Sequence, residues 1–199
     1  TAILLAAGSS KRMPQDKLLV DLGGMPMLQR TVECYTKATK VGDVLVVLKP
    51  GGKEAWNWLA SLRVHLLENP DPSRGMISSI RTALESAWAK GKDFLIAPAD
   101  VPFVKPEVID KVILDFRARR GDILIPTYRG LGGHPGMYSS ELQQDFRLHG
   151  DKHGTKDVLM RHRDTTVRLS IPDPDICFDV DTESDAAVAM DPGARWARV

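Results

Sequence analysis

A segment of small and cationic residues follows the first apolar run of the chain. Ala7 and Gly8 lead into Ser-Ser-Lys-Arg at positions 9–12, and Lys17 follows shortly after. Small residues let backbone N–H groups approach a phosphate closely, and cationic side chains can neutralise its charge. The segment therefore predicts a phosphate-binding loop, although a solvated basic loop has a similar composition. The residues that we expect to contact a nucleotide here are Leu5, Ala6, Ala7, Gly8, Ser10, Arg12 and Lys17.

Two common glycine-rich signatures do not fit this loop. It matches neither the GxGxxG pattern of dinucleotide-binding proteins nor the GxxxxGK pattern, followed by Ser or Thr, of P-loop proteins. These mismatches argue against a nicotinamide-dependent oxidoreductase and against a P-loop nucleotidase.

Carboxylates occur in two later segments. Asp100 follows an apolar run that predicts a buried strand, and at the end of such a strand it is well placed to hold Mg²⁺ bound to triphosphate oxygens. Asp179 and Asp181 lie two positions apart, hence on one face of an extended segment. The alternative for Asp100 and Asp181 is a structural role, in which each caps a turn or a helix.

A glycine and two serines form a third segment. Gly75 permits a close backbone approach, and Ser78 and Ser79 fall in the first turn of a predicted helix, where hydroxyl and N–H groups are available. This arrangement suits the recognition of a base edge or a ribose. An ordinary helix N-terminus is the alternative.

Alternating strands and helices are predicted to position these residues. The predicted strands are 1–6, 43–48, 63–67, 93–97 and 122–126, and the predicted helices are 27–40, 53–62, 76–88 and 106–119. Such alternation favours a parallel sheet with helices on both faces and a ligand at the carboxyl ends of the strands.

The pattern changes after residue 126. A glycine-rich connection at 129–136 precedes predicted helices at 140–148 and 155–163, strands at 165–171 and 176–180, and a last helix from Glu183. We interpret 1–199 as a single domain, with a nucleotide-binding half at 1–126 and an acceptor-side subdomain at 127–199.

Composition excludes several classes of protein. The chain is 43% hydrophobic and 27% charged, with a net charge of +1, which is typical of a globular protein without a nucleic-acid or membrane-binding patch. No apolar run approaches the roughly 20 residues that span a bilayer, and no signal peptide is visible. The two cysteines lack CxxC spacing, so we expect no zinc site and a cytoplasmic location.

Taken together, the segments resemble the molybdenum-cofactor nucleotidyltransferase (MobA-like NTP transferase) family, and more closely its cytidylyltransferase branch. The resemblance runs from Ala2 to about Ala187. The family opens with LAAGxSxRM followed by Lys, and residues 5–13 with Lys17 match that pattern. The guanylyl-transferring branch usually has LAGG, so Ala7 favours cytidylyl transfer.

The resemblance implies a fold, an activity and further site residues. The fold is a Rossmann-like three-layer α/β structure of the nucleotide-diphospho-sugar transferase (GT-A-like) type, with a mostly parallel sheet. CMP would pass from CTP to a phosphorylated pterin, with Arg12 and Lys17 on the phosphates and a molybdoenzyme as a transient client. Residues 98–102 resemble the PADMP element and residues 179–182 the DVDTPED element, which implies Asp100 and Asp181 as Mg²⁺ ligands. Residues expected near the acceptor are Gly133, His134 and Asp151.

Two departures from the family pattern keep other functions open. Pro14 replaces the usual glycine, and residues 150–156 are one residue longer than the acceptor-side GDxGAR element, with Lys for Arg. A sugar phosphate or alcohol phosphate acceptor, or the use of GTP, is therefore one alternative. A non-catalytic protein that binds a nucleotide or cofactor is another.

Overall fold

A computed structural model describes residues 1–8, 16–119, 121–148 and 154–199. The strands in these ranges are β1 (Ala2–Ala6), β2 (Val44–Leu48), β3 (His65–Glu68), β4 (Phe94–Pro98), β5 (Ile123–Tyr128), β6 (Leu131–Gly132), β7 (Gly136–Tyr138) and β8 (Thr166–Ser170). The α-helices are α1 (Met27–Lys37), α2 (Gly52–Ala55), α3 (Met76–Leu84), α4 (Pro106–Ala118), α5 (Gln143–Leu148), α6 (Thr155–Arg161), α7 (Glu183–Val188) and α8 (Pro192–Trp196).

One mixed, mostly parallel sheet contains all of these strands, as predicted. The order is β3-β2-β1-β4-β7-β5-β6, and β8 pairs with β5. β1, β2, β3 and β4 are mutually parallel where they pair, whereas β7 runs antiparallel to both β4 and β5. The carboxyl ends of the first four strands therefore lie at the same edge of the sheet, and so do the loops that follow them.

Helices cover both faces of the sheet because successive strand residues point to opposite sides. Ile3, Leu45 and Val47 are buried against a cluster that includes residues of α3, α5 and α6. Leu4 and Val46 are buried against a second cluster that includes residues of α1 and α4. The structure thus has the three layers expected from the alternation of strands and helices.

Helix α4 illustrates how the sequence determines an element. Pro106 occupies its first turn, where a missing N–H costs no hydrogen bond. Its buried residues recur at helical spacing along one face, at Ile109, Val112, Ile113 and Phe116. Among the described residues, no helix combines the length and the apolar character needed to cross a bilayer.

The strand predicted at 176–180 is wrong. Ile176 ends a short 3-10 turn, and the residues after it form no strand. Ile176, Phe178 and Val180 are buried, which explains the alternating pattern. Their backbone groups, however, bond singly to separate loops: the C=O of Ile176 accepts from His134, and the N–H of Val180 donates to Asp100.

Several predicted helices differ in length or type. The helix predicted at 53–62 is α2 followed by a 3-10 helix at Asn57–Leu62. Trp56 and Leu59 are the most buried of the described apolar side chains in the predicted range 53–62. Their spacing of three suits a 3-10 helix better than an α-helix. The helices predicted at 27–40 and 76–88 end earlier, at Lys37 and Leu84.

One last helix was predicted from Glu183 onward, but the structure has two, α7 and α8, and α8 was not predicted as a separate helix. Pro192 and Gly193 are poor helix formers, so its five residues give no helical signal. The Asp191 side chain nevertheless accepts from the N–H groups of Gly193 and Ala194, and proline is favourable at the first position.

Candidate nucleotide and metal site

Three loops meet at the carboxyl edge of the sheet. Ala7 and Gly8 follow β1, Asp100 follows β4, and residues 69–75 follow β3. The register of β1 and β4 places Leu5 opposite Pro98, and the N–H of Ala99 donates to the Leu5 carbonyl at 3.1 Å. The phosphate-loop segment and Asp100 are therefore neighbours, as the parallel sheet predicts.

A cavity of about 310 Å³ opens between these loops. Its volume is at the lower end of the range for small-ligand sites, roughly 300–1,000 Å³. Among the residues predicted to bind the nucleotide, those that line it are Leu5, Ala6, Ala7, Gly8, Lys17, Gly75, Ser79 and Asp100. Pro72 and Met76 add apolar surface on the side of α3.

The ammonium group of Lys17 bonds to both carboxylates that the sequence predicts as metal ligands, those of Asp100 and Asp181. Its Nζ donates to Oδ2 of Asp100 in a close contact and to Oδ1 of Asp181 at 2.9 Å. Burial lowers the pKa of Lys17, but the attraction of Asp100 and hydrogen bonds to Asp100 and Asp181 outweigh this effect and raise that pKa above its ordinary value. Lys17 therefore stays cationic across the neutral range.

One backbone hydrogen bond joins the Asp181 segment to Asp100, and another bond orients Asp181 within its own segment. The N–H of Val180 donates to the Asp100 carbonyl at 2.9 Å, and the N–H of Asp181 donates to Oδ2 of Asp185 at 3.2 Å. Burial, followed by the negative charges of Asp181 and Asp100, raises the pKa of Asp179 above its ordinary value. Lys17 thus bonds to two carboxylates, and the charge of Asp179 is influenced by the same two.

Gly133 and His134 pack against Ile176, in the segment that leads to Asp181. A Cβ at Gly133 would meet Cγ1 of Ile176 at 2.6 Å and its carbonyl oxygen at 2.7 Å, so this position has no room for a side chain. The N–H of His134 donates to that carbonyl at 2.7 Å, and the His134–Pro135 peptide bond is cis. Burial lowers the pKa of His134, and the Asp100 carboxylate opposes the shift.

The two predicted serines differ in what their hydroxyl groups do. Ser78 Oγ donates to the Gly75 carbonyl at 2.7 Å and accepts from the Asn69 amide at 2.7 Å, and Ser78 is not among the residues that line the cavity. Ser79 does line it, and its Oγ accepts from the same amide at 2.9 Å. Ser79 is therefore better placed than Ser78 to contact a ligand.

Asn69 is a site residue that the sequence analysis missed. Its side chain is buried, its Nδ2 donates to both serine hydroxyls, and its Oδ1 accepts from the N–H of Asp71. The signal available in the sequence was a polar residue directly after β3, at the edge of the sheet where ligands bind.

The structure describes only some of the remaining predicted site residues. Ser10, Arg12 and Asp151, and the substituted Pro14, lie outside the described residues. Gly75, with φ of 81°, adopts a backbone conformation that side chains disfavour. Within the described ranges there is no group of three or more His, Cys, Asp or Glu side chains arranged to hold a metal ion, so any metal there would depend on fewer protein ligands.

The chain is similar in sequence to proteins that are named as nucleotidyltransferases. The MobA-like NTP transferase domain matches residues 2–166. A probable molybdenum cofactor guanylyltransferase from Pyrococcus furiosus is 29% identical over 126 residues, which cover 63% of this chain and 59% of the relative. A 2-C-methyl-D-erythritol 4-phosphate cytidylyltransferase from Laribacter hongkongensis is 30% identical over 117 residues, covering 56% of this chain and 50% of that enzyme. The alignments span less than two thirds of the length of either relative.

The fold agrees with this family. A nucleotidyl transferase from Methanothermobacter superposes with a TM-score of 0.76 at 22% identity, covering 99% of this chain and 97% of the other. The three-layer structure is therefore the Rossmann-like fold of NTP transferases, as the motifs predicted. Because the family match extends over residues 2–166, the chain belongs to the MobA-like NTP transferase family.

Proposed function

We propose that the chain is a nucleotidyltransferase that moves CMP from CTP to a phosphorylated pterin cofactor and releases pyrophosphate. The observation that carries this proposal is that Lys17 and Asp100 line the cavity at the strand ends and that Lys17 also bonds to Asp181. A lysine and two carboxylates beside a small-residue loop suit a metal-bound triphosphate better than an uncharged ligand.

The reaction would be a single in-line displacement. An oxygen of the acceptor phosphate attacks the α-phosphorus, a new P–O bond forms, and the bond to the β-phosphate oxygen breaks as pyrophosphate leaves. Such transfers depend on positioning and on charge neutralisation, and they need no protein nucleophile. Lys17 and Arg12 would hold phosphate oxygens, and the backbone of Ala7 and Gly8 would approach the phosphates.

Asp100 and Asp181 fit a Mg²⁺ ion by their chemistry. Both carboxylates already face a common cation, the Lys17 ammonium group. Mg²⁺ is commonly held by one or two carboxylates together with substrate phosphates and water, so a third protein ligand is unnecessary. When bound, the ion would supply charge neutralisation on the phosphate oxygens.

The choice of nucleotide rests on Ala7. This residue is buried at the end of β1 and lines the cavity, and the cytidylyl branch has alanine where the guanylyl branch usually has glycine. GTP is the second candidate, because the relative from Pyrococcus furiosus is named as a probable guanylyltransferase. Another phosphorylated acceptor, such as a sugar phosphate or alcohol phosphate, remains an alternative because residues 150–156 depart from the family pattern.

The location and the client follow from the same proposal. We place the reaction in the cytoplasm, where the finished cofactor would pass to a molybdoenzyme. A non-catalytic accessory protein is the rival function. Lys17 with its two carboxylates argues against that rival, because a protein that only carries a nucleotide has no need to neutralise charge on a leaving group.

A panel of acceptors and nucleotides tests the proposal. The purified protein is incubated with CTP, GTP or ATP, with Mg²⁺, and with molybdopterin or a set of sugar and alcohol phosphates, and pyrophosphate release is measured. We expect release with molybdopterin and CTP at least 10-fold faster than with GTP. Tight CTP binding without pyrophosphate release for any acceptor would support the accessory protein instead.

A further inference from the structure

The segment that carries Asp181 has little backbone support of its own. Residues 173–181 contain a 3-10 turn but no strand. The N–H of Val180 bonds to the Asp100 carbonyl, and the carbonyl of Ile176 accepts from His134. Isolated backbone hydrogen bonds constrain a segment less than the continuous hydrogen bonds of a β-sheet do. Side-chain contacts must therefore hold the segment in place.

Arg195 of α8 anchors the start of this segment. Its Nε donates to Oδ1 of Asp175 at 2.7 Å and its Nη2 donates to Oδ2 at 2.9 Å, a two-bond fork that fixes the carboxylate in orientation as well as in position. Trp196 Nε1 donates to the same carboxylate at 2.8 Å. Arg195 and Asp175 are only 6% and 2% exposed, so water competes little for these bonds.

The same guanidinium group contacts the loop that follows Asp100. Cζ of Arg195 lies 4.1 Å from the centre of the Phe103 ring, within the range of a cation–π interaction. The Phe103 ring lies 6.2 Å, between centroids, from Phe178, which directly precedes Asp179. One side chain therefore ties together the two loops whose carboxylates meet at Lys17.

We propose that Arg195 is a positioning residue: by holding both loops it sets the separation of the Asp100 and Asp181 carboxylates, and with it the affinity of the site for a divalent cation. The inference rests on the function proposed above, because it takes those carboxylates as metal ligands. Arg195 touches neither carboxylate and is not a catalytic residue. It lies beyond residues 2–166, which the family domain matches.

The primary variant is Arg195→Lys, which keeps the charge near Asp175 but loses the two-bond fork and the planar contact with Phe103. A double variant, Arg195→Met with Asp175→Asn, removes the buried charges together and so avoids an unpaired Asp175. Phe146→Leu is the matched control, because Phe146 is fully buried in the core cluster on the other face of the sheet.

Two measurements on the full chain separate positioning from loss of stability. The first is binding of Mn²⁺ alone, followed by paramagnetic resonance. The second is hydrogen exchange at the Val180 amide, relative to amides of the central strands. We expect both Arg195 variants to weaken Mn²⁺ binding about 10-fold, the lower end for substitutions behind metal ligands, and to speed Val180 exchange. Phe146→Leu should lower the melting temperature and leave both quantities near those of the unsubstituted protein.

Normal Mn²⁺ binding by both Arg195 variants would overturn the inference. Unchanged relative exchange at Val180 would also overturn it, whether or not the protein binds Mn²⁺. By contrast, an unsubstituted protein that fails to bind Mn²⁺ while the Arg195 variants still speed Val180 exchange would contradict the proposed metal site and support the positioning role. The two failures are therefore distinguishable.

Discussion

Lys17 Nζ lies 2.9 Å from Oδ1 of Asp181, although the two residues are 164 positions apart in the chain. The same atom contacts Asp100, so the lysine stands where both carboxylates could also reach a divalent cation. In the proposed function, the lysine acts on phosphate oxygens and the carboxylates act on the metal. These groups bond to one another in the structure, and in the proposed complex they would bond to the metal and the phosphates.

Lys17→Met should separate these two roles. With the ammonium group gone, we expect turnover to fall about 100- to 1,000-fold, the loss typical for one oxyanion-stabilising donor. Binding of Mn²⁺ without nucleotide should instead tighten, because the metal no longer competes with a lysine for the two carboxylates.

Asp100→Asn is the counterpart, since it should lose both turnover and Mn²⁺ binding while retaining the fold. Steady-state kinetics, Mn²⁺ titration and circular dichroism check the pair of variants. Near-normal turnover in either one would contradict the assignment of Lys17 and Asp100.

Two adjacent glycines give a matched test of the loop beside the carboxylates. Gly133→Ala places a methyl group 2.6 Å from Cγ1 of Ile176 and 2.7 Å from its carbonyl oxygen, whereas the same change at Gly132 meets Cγ2 of Ile125 at an ordinary 3.6 Å. We expect Gly133→Ala to lower the melting temperature by several degrees and to reduce kcat, because it displaces the segment that leads to Asp181. Gly132→Ala should behave like the unsubstituted protein. Equal effects of the two changes, measured by thermal unfolding and kinetics, would show that this packing is unimportant.

Asn69→Ala should weaken nucleotide binding through Ser79. The change leaves two buried hydroxyl groups without their amide donor, which costs about 1–3 kcal/mol of stability. We expect KM for the nucleotide to rise more than kcat falls, because Asn69 orients a residue that lines the cavity and does not meet the reacting phosphate. Ser78→Ala is the control: Ser78 is outside the cavity lining, so its loss should destabilise the protein with a smaller change in KM. Kinetics and denaturant unfolding measure both effects.

Asp110 provides a pH-dependent prediction away from the site. Burial raises its pKa, but the Thr39 hydroxyl and the N–H groups of Thr39 and Lys40 outweigh this and lower that pKa below its ordinary value. A lowered carboxyl pKa stabilises the fold above the pKa of the unfolded chain, and the stabilisation is lost as pH falls through the folded pKa. Asp110→Asn should therefore lower the melting temperature at pH 7 and make progressively less difference as the pH falls below the ordinary Asp range. A melting-temperature difference that stays constant with pH would contradict this account.

The sequence predicted the sheet better than the site. β1, β2 and β4 are nearly uniform apolar runs, a pattern typical of buried parallel strands, and parallel strands put the loops after β1 and β4 at the same edge of the sheet. That reasoning placed Lys17 and Asp100 at one edge correctly, and the pairing of β1 with β4 makes them neighbours. It failed at residues 176–180, because burial of alternate residues gives a strand-like pattern even when the backbone bonds go to separate loops.

Two residues that support the site could not be given their roles from the sequence. Asn69 is one of several polar residues in its loop. Its role depends on hydrogen bonds to the hydroxyl groups of Ser78 and Ser79, which lie nine and ten positions later. Arg195 lies in a five-residue helix with Pro and Gly, and its partner Asp175 is 20 positions earlier. Neither relation follows from periodicity, because each depends on loops that the tertiary fold brings together.

The long separation between Lys17 and Asp181 also has a consequence for biosynthesis. A ribosome makes the chain from the N-terminus, so β1 and β4 can pair and α1 can pack on them before residues 173–195 have been made. The Lys17–Asp100 contact can form at that stage, but Asp181 and the Arg195 anchor are synthesised later. The nascent protein therefore has only one of the two carboxylates that bond to Lys17 until Asp181 has been synthesised.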